Sequence, residues 1–392
     1  MNKYYVDLHV HIGRSSGGME IKKATANNLT FENIAHESLY KKGINVIGVV
    51  DCISPYVLED IDALVARGEL VEKQKGGMEY RGSQTLILGA EIETHEKHGC
   101  SSHSLCFFPS LAVIKKFSEE MSKHIRNIRF NAIMSRLTGQ ELFNIVDGFG
   151  GLYIPAHAFT PHKSFYGNCC DSLHQIFDDK SFAKIPTVEL GLSADSMMAS
   201  QLSELDGKTF ISNSDAHSLP KMGREYNIFE MKEPSYEEIL KALKNIDGRR
   251  IVANYGLNPR LGKYHRSFCE VCEKIIEGEP PVLKCPVSVK HHVTVGVKDR
   301  LEIIRDRDEV RMEGRAPYHY QIPLEFLPKV GPKTVEKLIG HFGNEMKILH
   351  DASFEEISTV VKEDIARNIV LAREGKLGIE AGGGGVYGKI EG

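Results

Sequence analysis

Val6-Asp7-Leu8-His9-Val10-His11 carries the first hydrophobic run of the chain into two histidines spaced two apart. Side chains alternate along a strand, so both imidazoles project from one face. Further motifs follow in order: Gly89-Ala90-Glu91, Ser102-His103, Pro155-Ala156-His157 and Ser214-Asp215-Ala216-His217. Each is expected to close a hydrophobic run, and Asp215-x-His217 repeats the spacing of the first pair. A lone histidine at a strand end is usually a core or surface residue; the co-occurrence of these motifs changes that reading. Five histidines, one aspartate and one glutamate exceed the needs of one tetrahedral ion. They suit two or three divalent ions bridged by a carboxylate. Glu91 is the expected bridge, and Asp215 is expected to ligate and to orient a nucleophilic water. Metal-dependent hydrolysis of phosphate esters follows, with Asp215, Glu91 and His217 at its centre.

Outward from these motifs, residues 4–10, 46–50, 85–88, 152–154, 187–190 and 209–212 form strand-length apolar runs. Helical patterns lie between them at 31–42, 111–117, 122–135 and 235–244. Strands alternating with helices predict parallel β/α units. Ligands at strand C-termini are where a β/α barrel places its active site. Residues 1–262 are therefore expected to form a distorted β/α barrel of seven strands.

The texture changes beyond residue 262. In the segment 263–300, Cys269-Glu270-Val271-Cys272 and Cys285 resemble a zinc ribbon without a fourth cysteine. Ser288 stands where the fourth would fall, and His291 or His292 would complete a Cys₃His set for a structural zinc, His291 being preferred. In the region 301–392, residues 321–338 predict a helical hairpin. Leu327-Pro328-Lys329-Val330-Gly331-Pro332-Lys333 looks like a helix-hairpin-helix turn. Gly331 would open a helix whose N–H groups face a phosphate, with Lys333 adding charge without base preference. Lys329 stands where such turns usually have glycine. The tail from Ala381 to Gly388 reads as a loop or as disorder.

Composition narrows the class. The chain has 392 residues, 41% hydrophobic and 26% charged, ordinary for a globular protein. A net charge of −4 gives no overall basic signature, so nucleic-acid contact must come from local patches. No apolar stretch reaches transmembrane length and no signal peptide is evident, so a cytoplasmic, nucleoid-associated protein with no membrane partner is expected. Eight cysteines then read as reduced thiols or metal thiolates.

The order of motifs resembles the PHP (polymerase and histidinol phosphatase) family of metallo-phosphoesterases. That resemblance implies a distorted seven-stranded barrel with a trinuclear site, ligated by His9, His11, Glu91, His103, His157, Asp215 and His217. The family's Asp-His after its second strand is here Asp51-Cys52. Asp51 is retained as a ligand, and Cys52 is either a substitute ligand or a buried structural thiol. Glu189, closing another strand, reads as a support for the ligands or an occasional ligand. Longer strings, Ile154-Pro155-Ala156-His157-Ala158-Phe159-Thr160-Pro161, Ile211-Ser212-Asn213-Ser214-Asp215-Ala216-His217-Ser218 and Gly262-Lys263-Tyr264-His265, are similar to the endonuclease Q branch. The branch implies nicking of DNA 5′ to deaminated bases (uracil, hypoxanthine, xanthine) or abasic sites, leaving 3′-hydroxyl and 5′-phosphate ends. It implies zinc, or magnesium or manganese, in the barrel, and the replication clamp as a partner, although no clear clamp-binding peptide is present. A PHP phosphomonoesterase or 3′–5′ exonuclease is the alternative. Lys163, Lys221 and Arg224, near ligands in sequence, are candidates to grip the flanking phosphate. A flipped base needs stacking partners. Phe159, Phe165 and Tyr166 are the candidates, since the chain has no tryptophan.

Overall fold

The computed structural model describes residues 1–96, 99–130 and 134–390. Strand Asn2–Val10 lies at the centre of the main sheet. It pairs in parallel with Val46–Val49, which pairs in parallel with Gln84–His95. On its other side it pairs antiparallel with Tyr226–Met231, which pairs antiparallel with Arg250–Gly256. Ser101–Phe108 and Leu152–Pro155 extend the sheet beyond Gln84–His95. Thr187–Glu189 and Thr209–Ile211 form a separate parallel pair.

Both faces of the central strands are covered, which is why they read as continuous apolar runs. Val6, Leu8, Val46, Ile87, Leu105 and Phe107 share one core with Ile239 and Leu243 of helix Tyr236–Leu243. Val10, Ile47, Val49, Leu86 and Leu88 share the other with Phe31, Ile34, Ile61 and Ile114 of the flanking helices. Helix Phe31–Glu37 starts at Thr30, whose side chain accepts from Asn33 N–H. The turn that follows it stops at Gly43, in the left-handed region at φ 77°.

Buried side chains join the parallel pair to the central strand. Leu8 N–H donates to Asn213 Oδ1 at 2.9 Å, and Ser214 N–H to Asp7 Oδ1 at 3.0 Å. Asn227 Nδ2 donates to the Ser212 carbonyl at 2.8 Å, and Asn254 Nδ2 to the Phe210 carbonyl at 2.9 Å. Amide groups thus satisfy backbone that a ladder would otherwise pair.

Several expectations change. The barrel is not wholly parallel: Gln84–His95 and Ser101–Phe108 are antiparallel, because the short link between them cannot make a crossover. Ser102-His103 therefore opens its strand instead of closing one, which still brings His103 to the ligand rim. Residues 122–130 form turns, not a helix; of the remainder of that predicted helix, 131–133 lie outside the described residues. The expected division near residue 300 is crossed, since Tyr318–Tyr320 adds in parallel to Arg250–Gly256 of the barrel sheet. The hairpin at 321–338 has a 3₁₀ turn, Leu324–Phe326, as its first arm and helix Pro332–Phe342 as its second. Lys329 holds φ 66°, the left-handed conformation for which glycine is the usual residue. Helices Glu345–His350, Phe354–Val360 and Glu363–Arg373 complete a small bundle. The glycine tail is ordered, with Ile379–Glu380 pairing with Lys389–Ile390. Among the described residues no helix is long and apolar enough to cross a membrane.

Candidate metal centre

At one end of the barrel, donor atoms of His9, His11 and Asp215 lie within 4.8 Å of one another, and so do those of Glu91, His103 and His157. His9 Nε2 is 3.2 Å from His11 Nε2, and Asp215 Oδ1 is 3.3 Å from His11 Nε2. Glu91 joins the triads. Its Oε1 is 2.7 Å from His103 Nδ1, 3.3 Å from His157 Nε2 and 3.6 Å from His9 Nε2, and its Oε2 is 3.6 Å from His11 Nε2. His157 and Asp215 sit at φ 29° and 45°, a strained backbone for residues with a Cβ. Gly191 permits the first of these, since a Cβ there would lie 2.9 Å from His157 Cβ.

The supporting shell is carboxylate. Glu189 receives His9 Nδ1 at 3.0 and 3.1 Å, the His157 N–H at 2.7 Å and Asn213 Nδ2 at 2.8 Å. It thereby turns His9 Nε2 toward the triad, as a carboxylate behind a ligating histidine does. Asp51 does the same for His11: its Oδ2 is 2.9 Å from His11 Nδ1 and accepts the Ile12 N–H at 2.8 Å. The structure thus sets Asp51 behind a ligand instead of among the donor atoms, a correction to its reading as a ligand. Cys52 is fully buried in the outer core, with its Sγ donating to the Val49 carbonyl, the structural-thiol alternative. Glu93 accepts from His103 Nε2 at 3.2 Å and pairs with Lys163 at 3.0 Å.

The electrostatics fit cations. Burial alone would lower the pKa of His9, yet Glu189, Asp215 and Glu91 push it up to about 10. Burial likewise opposes ionisation of Glu91, but His103, Lys22 and His11 hold it well below the usual carboxylate range. Asp215 is half-buried, and His9 and its neighbours hold it low against the desolvation that would raise it. This cluster of imidazole and carboxylate lone pairs concentrates negative potential, a donor set suited to divalent ions. His217 differs. Burial and nearby His11 bring it down to about 4, so it is neutral at physiological pH. Its Nδ1 lies 3.0 Å from the Asp215 carbonyl, which keeps the proton there and leaves Nε2 as a lone pair.

These groups open into a cavity of about 480 Å³. Lys163, Lys221 and Arg224 line it, as does Lys263, whose pKa is lowered by burial and by the charges of Lys221 and Arg224. Phe159, Phe165 and Tyr166 do not. All three are buried in the core; Phe159 and Tyr166 stack on each other with centroids 5.1 Å apart, and Phe165 packs on Phe177. Their reading as base-stacking rings is therefore corrected: the loop spends its aromatic residues on its own packing, and Thr160, His162 and Lys163 are what it presents to the cavity.

Sequence reading missed Lys22, 2.8 Å from Glu91 Oε2 and 3.0 Å from His11 Nε2. It lies in an irregular stretch whose pattern carries no signal. Glu93 and Lys263 were missed as well. Glu93 shares the face of Glu91 two residues on, which period-two counting would have found.

The second site is compact. His291 Nδ1 lies 3.6, 3.3 and 3.4 Å from the sulfurs of Cys269, Cys272 and Cys285, and Cys272 Sγ lies 3.7 Å from Cys285 Sγ. Tetrahedral zinc with its usual bond lengths separates sulfur pairs by about 3.8 Å and sulfur–nitrogen pairs by about 3.6 Å. These four donors fit that ion. Gly331 precedes helix Pro332–Phe342 and borders another cavity, about 330 Å³, that shares Arg224 with the first; Lys333 is exposed.

A barrel carrying adjoining His/Asp and Glu/His triads on its rim defines the PHP class of hydrolase, and residues 195–246 match the family model described as PHP-associated. The chain is 46% identical to the uncharacterized protein YqxK of Bacillus subtilis over the full length of both. It superposes with a TM-score of 0.83 on the lesion-specific endonuclease PfuEndoQ of Pyrococcus furiosus, at 33% identity, covering 100% of this chain and 95% of that one. An endonuclease Q solved with a 27-mer duplex substrate bearing an abasic lesion at the active site matches with TM-score 0.84 and 33% identity, over 100% and 96% of the two chains. The chain belongs to the endonuclease Q family and is a nuclease.

Proposed function

We propose that the protein is a DNA repair endonuclease that hydrolyses the phosphodiester 5′ to a deaminated base (uracil, hypoxanthine or xanthine) or an abasic site, leaving 3′-hydroxyl and 5′-phosphate ends. The observation that carries this reading is one cavity that joins Glu91, His103, His157 and Asp215 of the donor triads to a rim of Lys163, Lys221, Arg224 and Lys263. It is supported by full-length similarity to a lesion-specific endonuclease and to one solved on abasic DNA.

His9, His11 and Asp215 would hold one divalent ion and Glu91, His103 and His157 another, with Glu91 shared. Zinc suits the imidazoles; magnesium or manganese would draw more on the carboxylates. When bound, such ions lower the pKa of a coordinated water and stabilise charge on phosphoryl oxygens. The residues supply the rest. Asp215, with its side chain 32% exposed, orients the attacking water. Neutral His217 offers Nε2 beside it. Lys22 offsets the charge of Glu91. Lys163, Lys221 and Arg224 hold the phosphates flanking the cut. Cys269, Cys272, Cys285 and His291 would carry a structural zinc, and Gly331 with Lys333 would meet the backbone at a distance from the lesion.

Deamination converts an amino donor into a carbonyl and protonates the neighbouring ring nitrogen, giving uracil, hypoxanthine and xanthine a common lactam edge. With the aromatic residues withdrawn into the core, backbone N–H and C=O groups of the loop 159–166 read that edge on a flipped base.

The test is a duplex carrying one uracil or one abasic site beside an undamaged control, with Mg²⁺ or Mn²⁺, with chelator, and with Asp215→Ala. The expected result is one nick immediately 5′ to the lesion, abolished by chelator and by the variant. A ladder from the 3′ end, or hydrolysis of a phosphomonoester with no nick, would overturn the proposal. Nicking at N3-methyluracil as fast as at uracil would overturn the lactam reading alone.

A further inference from the structure

The C-terminal glycine-rich segment has the composition of a linker, yet it is built into the metal cavity. Its backbone is tied to the loop after the barrel: Gly382 N–H donates to the Arg260 carbonyl at 2.7 Å, Gly385 N–H to Lys263 at 3.2 Å and Gly388 N–H to Leu261 at 2.9 Å. The glycines are there for contact. A Cβ on Gly384, at φ +60°, would lie 2.4 Å from the Phe268 ring, and one on Gly388 would lie 2.2 Å from the Glu380 carbonyl. The segment thus wedges between the barrel and the cysteine segment, where flexibility is not what glycine supplies.

What it delivers is Tyr387, which lines the metal cavity. The tyrosine hydroxyl accepts from Arg224 Nη1 at 2.7 Å. The other guanidinium nitrogens donate to the carbonyls of Ser214 at 2.7 Å and Asp215 at 3.3 Å. Arg224 therefore spans the tail and the loop that carries Asp215. Lys263 Nζ lies 4.6 Å from the tyrosine ring centroid and the Arg224 guanidinium 5.5 Å, so one ring gathers two cations. Lys221 borders the same cavity. Held together without an anion, these charges repel; a phosphate among them relieves that repulsion.

We propose that the C-terminal tail completes the substrate cleft, and that Tyr387 is a positioning residue that holds Arg224 and Lys263 against the phosphate beside the cut bond. The inference rests on the nuclease reading above for its substrate. The ring's contacts are Phe326, Arg224 and Lys263, so its loss is expected to act on substrate binding more than on the chemical step.

The experiment uses the full chain in four forms: wild type, Tyr387→Phe, Tyr387→Ala and Gly384→Val, the last displacing the tail without touching the tyrosine. Single-turnover and steady-state nicking of an abasic-site duplex gives kcat and KM separately, and thermal denaturation gives Tm. Losing one hydrogen bond to a charged group is expected to raise KM about tenfold in Tyr387→Phe. Tyr387→Ala and Gly384→Val, which also lose the cation–ring contacts, are expected to raise it further, with kcat within about twofold and Tm unchanged. KM equal to wild type in all three variants, with wild-type nicking intact, would overturn the inference and leave the function standing. Because the chain has no tryptophan, Tyr387→Trp supplies one tryptophan, excited at longer wavelength than the tyrosines, whose readout does not require cleavage. Its emission is expected to shift on adding lesion duplex in chelator. Should wild type cut no lesion, that shift still supports the tail as part of a DNA cleft, and an unchanged spectrum overturns it.

Discussion

Glu189→Gln tests the claim that the carboxylate behind His9 sets the metal affinity of the first triad. Glu189 is buried, and its hydrogen-bond partners are all donors: His9 Nδ1, the His157 N–H and Asn213 Nδ2. His9 Nδ1 must carry its proton because Nε2 faces His11 and Asp215. A glutamine fills the same volume, but whichever terminal position takes its NH₂ group points a donor at a donor. Asn213 cannot invert to accept it without losing the bond from Leu8 N–H to its Oδ1. At least one charge-assisted hydrogen bond is lost, worth roughly 1.5–3 kcal/mol. That agrees with the 10–100-fold loss of affinity (about 1.4–2.8 kcal/mol) typical of removing such a support. Titration of metal-stripped protein by calorimetry, or by competition with a chelator, measures it. Affinity within about twofold of wild type, with an unchanged circular dichroism spectrum, would refute the reasoning.

Three further expectations follow from the same geometry. Cys272→Ser should cost one bound zinc per chain by elemental analysis while the barrel ions remain; an unchanged stoichiometry would mean that the Cys₃His cluster holds no ion. Phe159→Ala should destabilise the protein by about 3–5 kcal/mol in chemical denaturation, as loss of a buried phenyl does; unaltered stability with weakened lesion binding would return Phe159 to the base pocket. Burial opposes ionisation of Glu93, but hydrogen bonds from His103 and Lys163 hold it at about 2. A depressed carboxylate contributes stability above its unfolded pKa and loses it as pH falls through the folded value. The stability gap between wild type and Glu93→Gln should therefore be constant above about pH 5 and close toward about pH 2; a gap that widens on acidification would contradict the assignment.

The ligand motifs were legible in the sequence because strand alternation is a local rule. His9 and His11 share a face by counting, and Glu91, His157 and Asp215 were found as polar residues ending apolar runs. The cysteine cluster was legible for the same reason, since its first pair is three residues apart. The preference for His291 over His292 agrees with the cluster, but no local pattern compels it, because it depends on which imidazole the fold of residues 285–294 turns inward. Nor did local pattern separate Asp51 as a support from Asp51 as a ligand. Both readings place a carboxylate at the same strand end, and only the 2.9 Å approach to His11 Nδ1 decides.

Thus the sequence alone determined the barrel class, the family and the motif residues that meet at the rim, because periodicity and short motifs report what each strand presents. Tertiary structure decided what comes together across long separations. It withdrew Phe159, Phe165 and Tyr166 into the core, brought Lys22 onto Glu91, and carried Tyr387 back 163 residues to Arg224. Aromatic burial depends on the volume left by distant helices, and the seating of a glycine tail depends on the surface it meets. Neither quantity is written in the residues on either side.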